Sequence, residues 1–364
     1  MLTGCGVGAT AAPADHEVAT ELSSCEAVTP YADLDQMQRA IATEPSILGI
    51  VGADIATSVR MPSGTMAFAF GDTILDSTAL RRASVRNSLI VVDVDRACLM
   101  LSHDGGAFVP ERPDGVGYWP TSLAQATPPG VAVRPTTAMF LQRVSATSDD
   151  GFVNLGPALA EVVFADDGLP HLHQVVDIGS DNPSRQHIGW GAASWRADDG
   201  NIYIYGTANP ERELVFGWSL HVARVRAEEV FDVSAWQYWD GAVWSEDPAA
   251  AVALIPAVGG VSQTLSVFAD GETWYAVSKR DDFLGSDVVI WSAPQPMGPF
   301  TASASVASKP SDATTVRYAV VAHPTLYPQD GTVVVSISQN TTDDSALAED
   351  PTLYRPEFFR VPLP

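Results

Sequence analysis

The sequence predicts an all-β protein, built as a five-bladed β-propeller. Two observations predict it. Short apolar runs with period-two alternation recur from about residue 45 to the end, as in Met66–Phe70, Ser88–Val92, Asn201–Tyr205, Ser219–Arg224, Thr273–Val277, Val288–Trp291 and Thr332–Ile337. Between them, Asp-Gly dipeptides recur at 104, 114, 150, 167, 199, 240, 270 and 330, and Asp-Gly suits the positive φ angles of tight turns. Long helical periodicity is scarce; the best stretch, Asp33 to Thr43, precedes the strands.

The strands fall into five groups, roughly 45–103, 117–178, 187–245, 252–299 and 301–361. Each has room for about four antiparallel strands, the size of a propeller blade. Self-similarity between the groups is faint, so any repeat is one of shape. A large β-sandwich or jelly roll is the alternative. The last strand, near Phe358-Phe359-Arg360-Val361, is expected to pair with N-terminal residues and close a ring. Residues 1–44 read as an N-terminal arm and 45–364 as the catalytic domain.

The arm carries its own signals. Leu2-Thr3-Gly4-Cys5 matches a bacterial lipobox, which would place a lipid anchor on Cys5; the charged and apolar regions that precede such a motif are missing, so either the start is trimmed or mis-set or the match is chance. Gly6 to Glu21 is Ala-rich without apolar periodicity, as in a flexible tether. The chain has three cysteines. With lipid on Cys5, Cys25 and Cys98 remain as a pair that an exported protein could join, pinning the arm to the first sheet; two unpaired core thiols are the alternative. An exported, extracellular or cell-surface lipoprotein is therefore expected. Net charge is −24 with 20 basic residues among 364, which argues against nucleic acid and anionic membrane surfaces as partners. Nothing suggests an assembly, and a monomer is expected.

Asp54 and Asp72 flank the turn Met61-Pro62-Ser63-Gly64, in runs that both read as strands. A hairpin turning near Ser63 sets position 54 opposite position 72. Side chains paired across antiparallel strands begin about 4.5–5.5 Å apart. Carboxyl groups that close cannot both ionise freely, and a pair with split pKa values is what glycoside hydrolysis needs. Glycines precede both acids and remove bulk, leaving room for a ligand or for tight strand packing. A turn cap or an arginine partner is the structural alternative for each acid.

Other candidates gather around the pair. Arg86 and Asn87 open the next strand and could orient a carboxylate or bind sugar hydroxyls; a structural Arg paired to Asp54 or Asp72 is the alternative. His187 and Trp190, in a polar and aromatic stretch before a strand, would suit a sugar subsite, with Trp195 as packing. Gln263 and His323 begin or end strands that could line a channel, as could Lys279-Arg280-Asp281-Asp282. Each of these reads equally as structural. No Gly-x-Ser-x-Gly elbow, P-loop or His-Glu-x-x-His motif occurs. The turns at Asp198–Tyr203 and Ser266–Trp274 only partly match the Asp-box turns of sialidases. Three scattered Cys do not make a zinc site, no cofactor is expected, and the many Asp permit a Ca²⁺ without predicting one.

Gly52-Ala53-Asp54, Phe70-Gly71-Asp72-Thr73, Arg86-Asn87-Ser88, Trp190-Gly-Ala-Ala-Ser-Trp195, Tyr203-Ile-Tyr205-Gly206-Thr207, the Trp291-Ser-Ala-Pro to Gly298-Pro-Phe300 turn and Ala322-His323-Pro324 together resemble a bacterial family long catalogued as a domain of unknown function and now placed among the endo-D-arabinanases, glycoside hydrolase family 183. The pieces span most of the chain after residue 45; Phe-Gly-Asp-Thr is the most specific. The resemblance implies a five-bladed fold and cleavage of D-arabinan in mycobacterial arabinogalactan and lipoarabinomannan, with Asp54 and Asp72 on the catalytic acids. The expected reaction is endo-hydrolysis of α-D-arabinofuranosyl linkages with retention, Asp72 as nucleophile and Asp54 as acid/base. A carboxyl separation of about 5 Å favours retention, and roughly 6.5–9.5 Å inversion. Rival readings are a non-catalytic carbohydrate-binding propeller and a glycosidase for another furanoside polymer.

Overall fold

The computed structural model describes residues 22–61, 63–78, 80, 82–126, 134–147 and 151–364. The lipobox at Cys5 and the stretch from Gly6 to Glu21 lie outside the described residues.

The protein is all-β, and every strand pairing among the described residues is antiparallel. The first group holds β1 (Leu22–Ala27), β2 (Ile50–Ala53), β3 (Thr57–Arg60), β4 (Met66–Phe70), β5 (Thr73–Leu75), β6 (Ser84–Val85), β7 (Ser88–Val92) and β8 (Arg96–Leu101). They form two sheets, β1-β8-β7-β4-β3 and β2-β5-β6. The second sheet is β9 (Gly117–Gln125), β10 (Thr136–Ala146), β11 (Phe152–Phe164) and β12 (Pro170–Asp177) in simple succession. The third runs through β13 (Gly189–Arg196), β14 (Asn201–Ala208), β15 (Ser219–Arg226), β16 (Gln237–Trp239) and β17 (Trp244–Ser245). The fourth contains β18 (Ser266–Asp270), β19 (Thr273–Lys279), β20 (Asp287–Ala293) and β21 (Thr301–Ala302), with β22 (Ala307–Ser308) also on β20. The fifth is β23 (Thr315–His323), β24 (Thr332–Thr341) and β25 (Glu357–Pro362).

Apolar faces bind successive groups together. Leu89 and Met100 of the first group share a core with Met139 and Leu141 of the second. Phe140 and Leu159 meet Ile202 and Ile204 of the third. Tyr205 and Val222 meet Ala276 and Val289 of the fourth, and Val277 and Ile290 meet Val320 and Val335 of the fifth. Each fully buried aliphatic side chain contributes about 1.5–3 kcal/mol. The strand β3 lies against β9, β9 against β13, β13 against β18, β18 against β23, and β23 against β3.

The short helix falls where the periodicity predicts it. Helix α1 spans Leu34–Thr43, and the Asp33 carboxylate caps it by accepting from Gln36 N. The last strand differs from expectation. Strand β25 pairs with β24, not with N-terminal residues. The N-terminal part instead meets the chain's end through side chains. Met37 of α1 shares a core with Val334 and Phe358, and Gln38 Oε1 accepts from Phe358 N at 2.6 Å. Arg355, 6% exposed, donates to the carbonyls of Val51, Ile41, Glu44 and Pro45 at 2.5–2.9 Å.

Strand β1 is an edge strand on β8, with Cys25 opposite Cys98. The two form a disulfide with Cα atoms 4.1 Å apart. It closes a loop with a sequence separation of 73, a constraint worth up to about 4 kcal/mol by chain entropy. Replacing both cysteines by Ser should therefore lower stability by about 2–4 kcal/mol in a denaturant titration, with the sheet's circular dichroism retained.

Candidate active site

The hairpin carrying the acid pair holds its register across a gap. Strand β3 pairs with β4 from Thr57↔Ala69 to Arg60↔Met66. Carried three residues past Thr57↔Ala69, that register sets Asp54 opposite Asp72. Beyond the acids the ladder resumes in the same step, with Ala53 opposite Thr73 in β2 and β5. Between the two ladders Ile55 and Ala56 take left-handed φ angles of 68° and 60°. This is costly for a β-branched residue, and Ser338 Oγ holds the turn by accepting from Ile55 N at 2.9 Å.

Gly52 and Gly71 have different reasons to be glycine. A Cβ on Gly52 would strike the carbonyls of Pro351 and Tyr354, so its absence seats the segment that delivers Tyr354. A Cβ on Gly71 would collide with Asp54 Oδ1, so its absence makes the space this carboxyl occupies. Thr73, fully buried, then locks the turn bearing Asp72: its Oγ1 donates to Gly71 O at 2.9 Å and meets Ser88 Oγ at 2.9 Å.

The two acids have unlike surroundings. Tyr318 OH donates to Asp54 Oδ2 at 2.7 Å, while Asp54 Oδ1 is closed off from solvent and finds no hydrogen-bond partner among the described residues. Burial first, and the charge of Asp72 second, push the Asp54 pKa up to about 7, against the opposing pull of the Tyr318 and Tyr354 hydroxyls. Asp72 accepts from Trp119 Nε1 at 3.0 Å and pairs with Arg86 NH1 at 3.4 Å. Burial raises its pKa too, and Trp119 and Arg86 oppose the rise. Of the two, Asp54 is the one whose surroundings favour the protonated form, and Asp72, with an indole N–H and a guanidinium beside it, is the better equipped to carry charge.

Both acids line a cleft of about 830 Å³ together with Arg86, Glu111, Trp119, Phe152, Tyr318 and Tyr354. A second cleft of about 620 Å³ adjoins it, sharing Thr121, Gln142, Asn154, Gln263 and Thr264. The two clefts therefore lie side by side, divided by these residues.

The other predicted residues divide. Arg86 stands beside Asp72 as its ion-pair partner and also reaches Glu111 at 3.7 Å. Gln263 lies on the shared wall. His187 is exposed, 3.1 Å from the Asn182 amide, and lines the second cleft away from the acids. Three expectations are corrected. Asn87 is 1% exposed; its amide donates to Val109 O and Tyr118 O and accepts from Val109 N, which leaves nothing for a sugar. Its work is to fix the segment leading to Trp119. His323 is fully buried between Ser58 Oγ (2.7 Å) and Ser336 Oγ (2.9 Å), and burial pushes its pKa down to about 3. Trp190 is 7% exposed and packs against Tyr238 within the core joining the second and third sheets, so although it joins the wall of the second cleft it has little surface left for a sugar. Trp195 packs edge-on against Phe268, as expected. Of the Lys279–Asp282 run only Asp282 reaches the acid cleft, while Lys279 is fully buried.

Sequence reasoning missed Trp119, Tyr318 and Tyr354 as partners of the acids. Tyr318 lies in the same strand as His323, and a bulge between Tyr318 and Val320 shifts its face. Trp119 and Tyr354 carry no local signal, because their roles come from other sheets. Among the described residues no group of three His, Cys, Asp or Glu side chains is placed to hold a metal ion.

No curated protein matches the chain by sequence. Solved structures share its shape. A protein from Bacteroides ovatus ATCC 8483, described provisionally as a hydrolase, is 19% identical with a TM-score of 0.65, covering 90% of this chain and 89% of its own. An inulosucrase from Halalkalicoccus jeotgali bound to kestose is 14% identical with a TM-score of 0.53, covering 96% and 90%. A GH43_1 enzyme from Xanthomonas citri complexed with xylotriose, 12% identical with a TM-score of 0.48 over 90% and 93%, overlaps too loosely to carry an argument. At these identities the likeness speaks for the fold. Residues 44–362 match the domain of unknown function DUF5005, and the chain belongs to that family.

Proposed function

We propose that the chain is an endo-acting glycoside hydrolase cleaving α-D-arabinofuranosyl linkages in a mycobacterial-type D-arabinan. The observation that carries this is the acid pair: two carboxyls set opposite each other in one cleft, one buried beside phenols that leave its pKa raised and one held by a cation and an indole. The second cleft beside the one that holds the acids favours internal attack on a polymer over removal of end sugars. The substrate rests on the motif resemblance to the endo-D-arabinanases; the likeness in shape to a sugar-acting enzyme, the inulosucrase bound to kestose, supports a carbohydrate substrate.

In the proposed reaction Asp72 attacks the anomeric carbon while Asp54 gives its proton to the departing oxygen. A glycosyl ester on Asp72 forms. Asp54, now ionised, takes a proton from water, which attacks the same carbon and frees Asp72. Arg86 and Trp119 keep Asp72 oriented and charged. We also infer a five-bladed propeller. Its support is the five strand groups and the succession of edge strands that leads from β3 through β9, β13 and β18 to β23 and back to β3. Export, as a lipoprotein if Cys5 is modified, is part of the proposal, and the disulfide fits an oxidising compartment.

D54N and D72N should each lower release of oligosaccharides from purified D-arabinan by at least about 10³-fold while leaving the folded spectrum intact; near-normal release by both variants refutes the assignment. Cleavage should fail on the alkaline side with an apparent pKa of about 7, where Asp54 loses its proton, and on the acid side as Asp72 is neutralised. The same proton has a stability signature. Below pH 3.8 Asp54 is protonated folded and unfolded; between there and about 7 the unfolded chain ionises first, so folded stability falls as pH rises, and above about 7 the loss is complete. D54N removes that loss, which has a ceiling of about 4 kcal/mol. Its melting temperature should gain on the wild type from pH 5 to pH 8, and a constant difference speaks against a protonated Asp54. G71A should fold, yet displace the Asp54 carboxyl and reduce polymer cleavage by about 10²-fold.

A further inference from the structure

Two phenyl rings stand half open in the acid cleft. Phe152 and Phe283 are each 50% exposed, and both line it. Single exposed hydrophobic residues are ordinary on a surface, but these two share one concave site with the acids. Each also touches the side chain that hydrogen-bonds one of the aspartates. Phe152 meets Trp119 edge-on at 5.0 Å, and Trp119 Nε1 donates to Asp72. Arg86, the cation paired with Asp72, lies over the Phe152 ring at 5.1 Å. Phe283 stacks on Tyr318 at 5.1 Å with 19° between planes, and Tyr318 OH donates to Asp54.

The rings reach the acids from opposite flanks. Phe152 opens β11 of the second sheet, whose β9 lies against β3. Phe283 sits in the turn between β19 and β20 of the fourth sheet, and that turn packs on β23 of the fifth, which meets β3 from the other side. The turn is held firmly: Asp281 and Asp282 take left-handed φ angles of 59° and 52°, and the Asp282 carboxylate accepts from Trp218 Nε1 at 2.9 Å. Arg86 covers part of Phe152 and Tyr318 covers one face of Phe283, and the remaining surface of each ring is apolar and would suit a ligand with an apolar side. A furanose ring offers such a side in its C–H face.

We propose that Phe152 and Phe283 are paired platforms for the sugar residues on either side of the cleaved linkage, Phe152 on the Asp72 side and Phe283 on the Asp54 side. The assignment rests on the glycosidase reading for its substrate, yet binding tests it apart from cleavage. Calorimetry with D-arabinan oligosaccharides, in the D54N and D72N backgrounds, should give dissociation constants about tenfold weaker for F152L and for F283L, because Leu keeps the bulk and loses the flat face. F152W and F283W should restore affinity. Melting temperatures within a few degrees of the parent would establish that the Leu variants fold. Unchanged affinity in both Leu variants, or no binding of the oligosaccharides by either parent, overturns the platforms. Binding that depends on both rings without any cleavage by the unsubstituted protein overturns the hydrolase reading and leaves the platforms standing.

Discussion

One buried guanidinium holds the two ends of the domain together. Arg355 spends its donors on four main-chain carbonyls, two of them, Ile41 and Glu44, at the end of helix α1. The negative end of that helix offsets a charge that would be expensive to bury alone. The same contacts set the neighbourhood of the acids. Val51, another partner, lies three residues before Asp54, and Tyr354 lies one residue before Arg355. Ala53 N then donates to Tyr354 O at 2.6 Å. The last sheet is thus drawn onto the first at the place where Tyr318 and Tyr354 must reach Asp54.

The acids are differentiated by what each sheet contributes. The fifth sheet and the segment before its last strand bring phenols, which shield Asp54 but carry no positive charge. The first and second sheets bring a guanidinium and an indole to Asp72. No single strand contains the distinction; it exists only where three groups meet. Local strain at Ile55 and Ala56 fits this picture, because it falls in the break between the two ladders where the acids face each other.

Much of the scaffold was legible in the chain. Strands such as Met66–Phe70 and Ser88–Val92 fall where alternation places them, because one face or both are packed. The facing of Asp54 and Asp72 was legible too, since antiparallel pairing follows from turn position alone. What escaped was the burial of particular polar and aromatic groups. Asn87, Trp190 and His323 look like sugar-binding residues in sequence, and each is consumed by contacts with other strands: Asn87 by Val109 and Tyr118, Trp190 by Tyr238, His323 by Ser58 and Ser336. Phe152 and Phe283 carry no mark in sequence that sets them apart from core residues, and both are half open. Composition and spacing report that an aromatic ring is present; only long-range packing decides which way it faces.

The interrupted hairpin has a further consequence for how this chain tolerates change in length. Two separate ladders, β3 with β4 and β2 with β5, hold the same step on either side of the acids. Extra residues at the tip near Ser63 and Gly64 would only enlarge the bend, because both ladders still dictate which residues oppose each other. One extra residue between Ala53 and Thr57 has the opposite effect: it turns over every face of whichever strand it displaces. Insertions and deletions should therefore accumulate at the tip and be excluded from a three-residue stretch around Asp54, so the gap between the ladders acts as a ruler whose length the protein cannot vary.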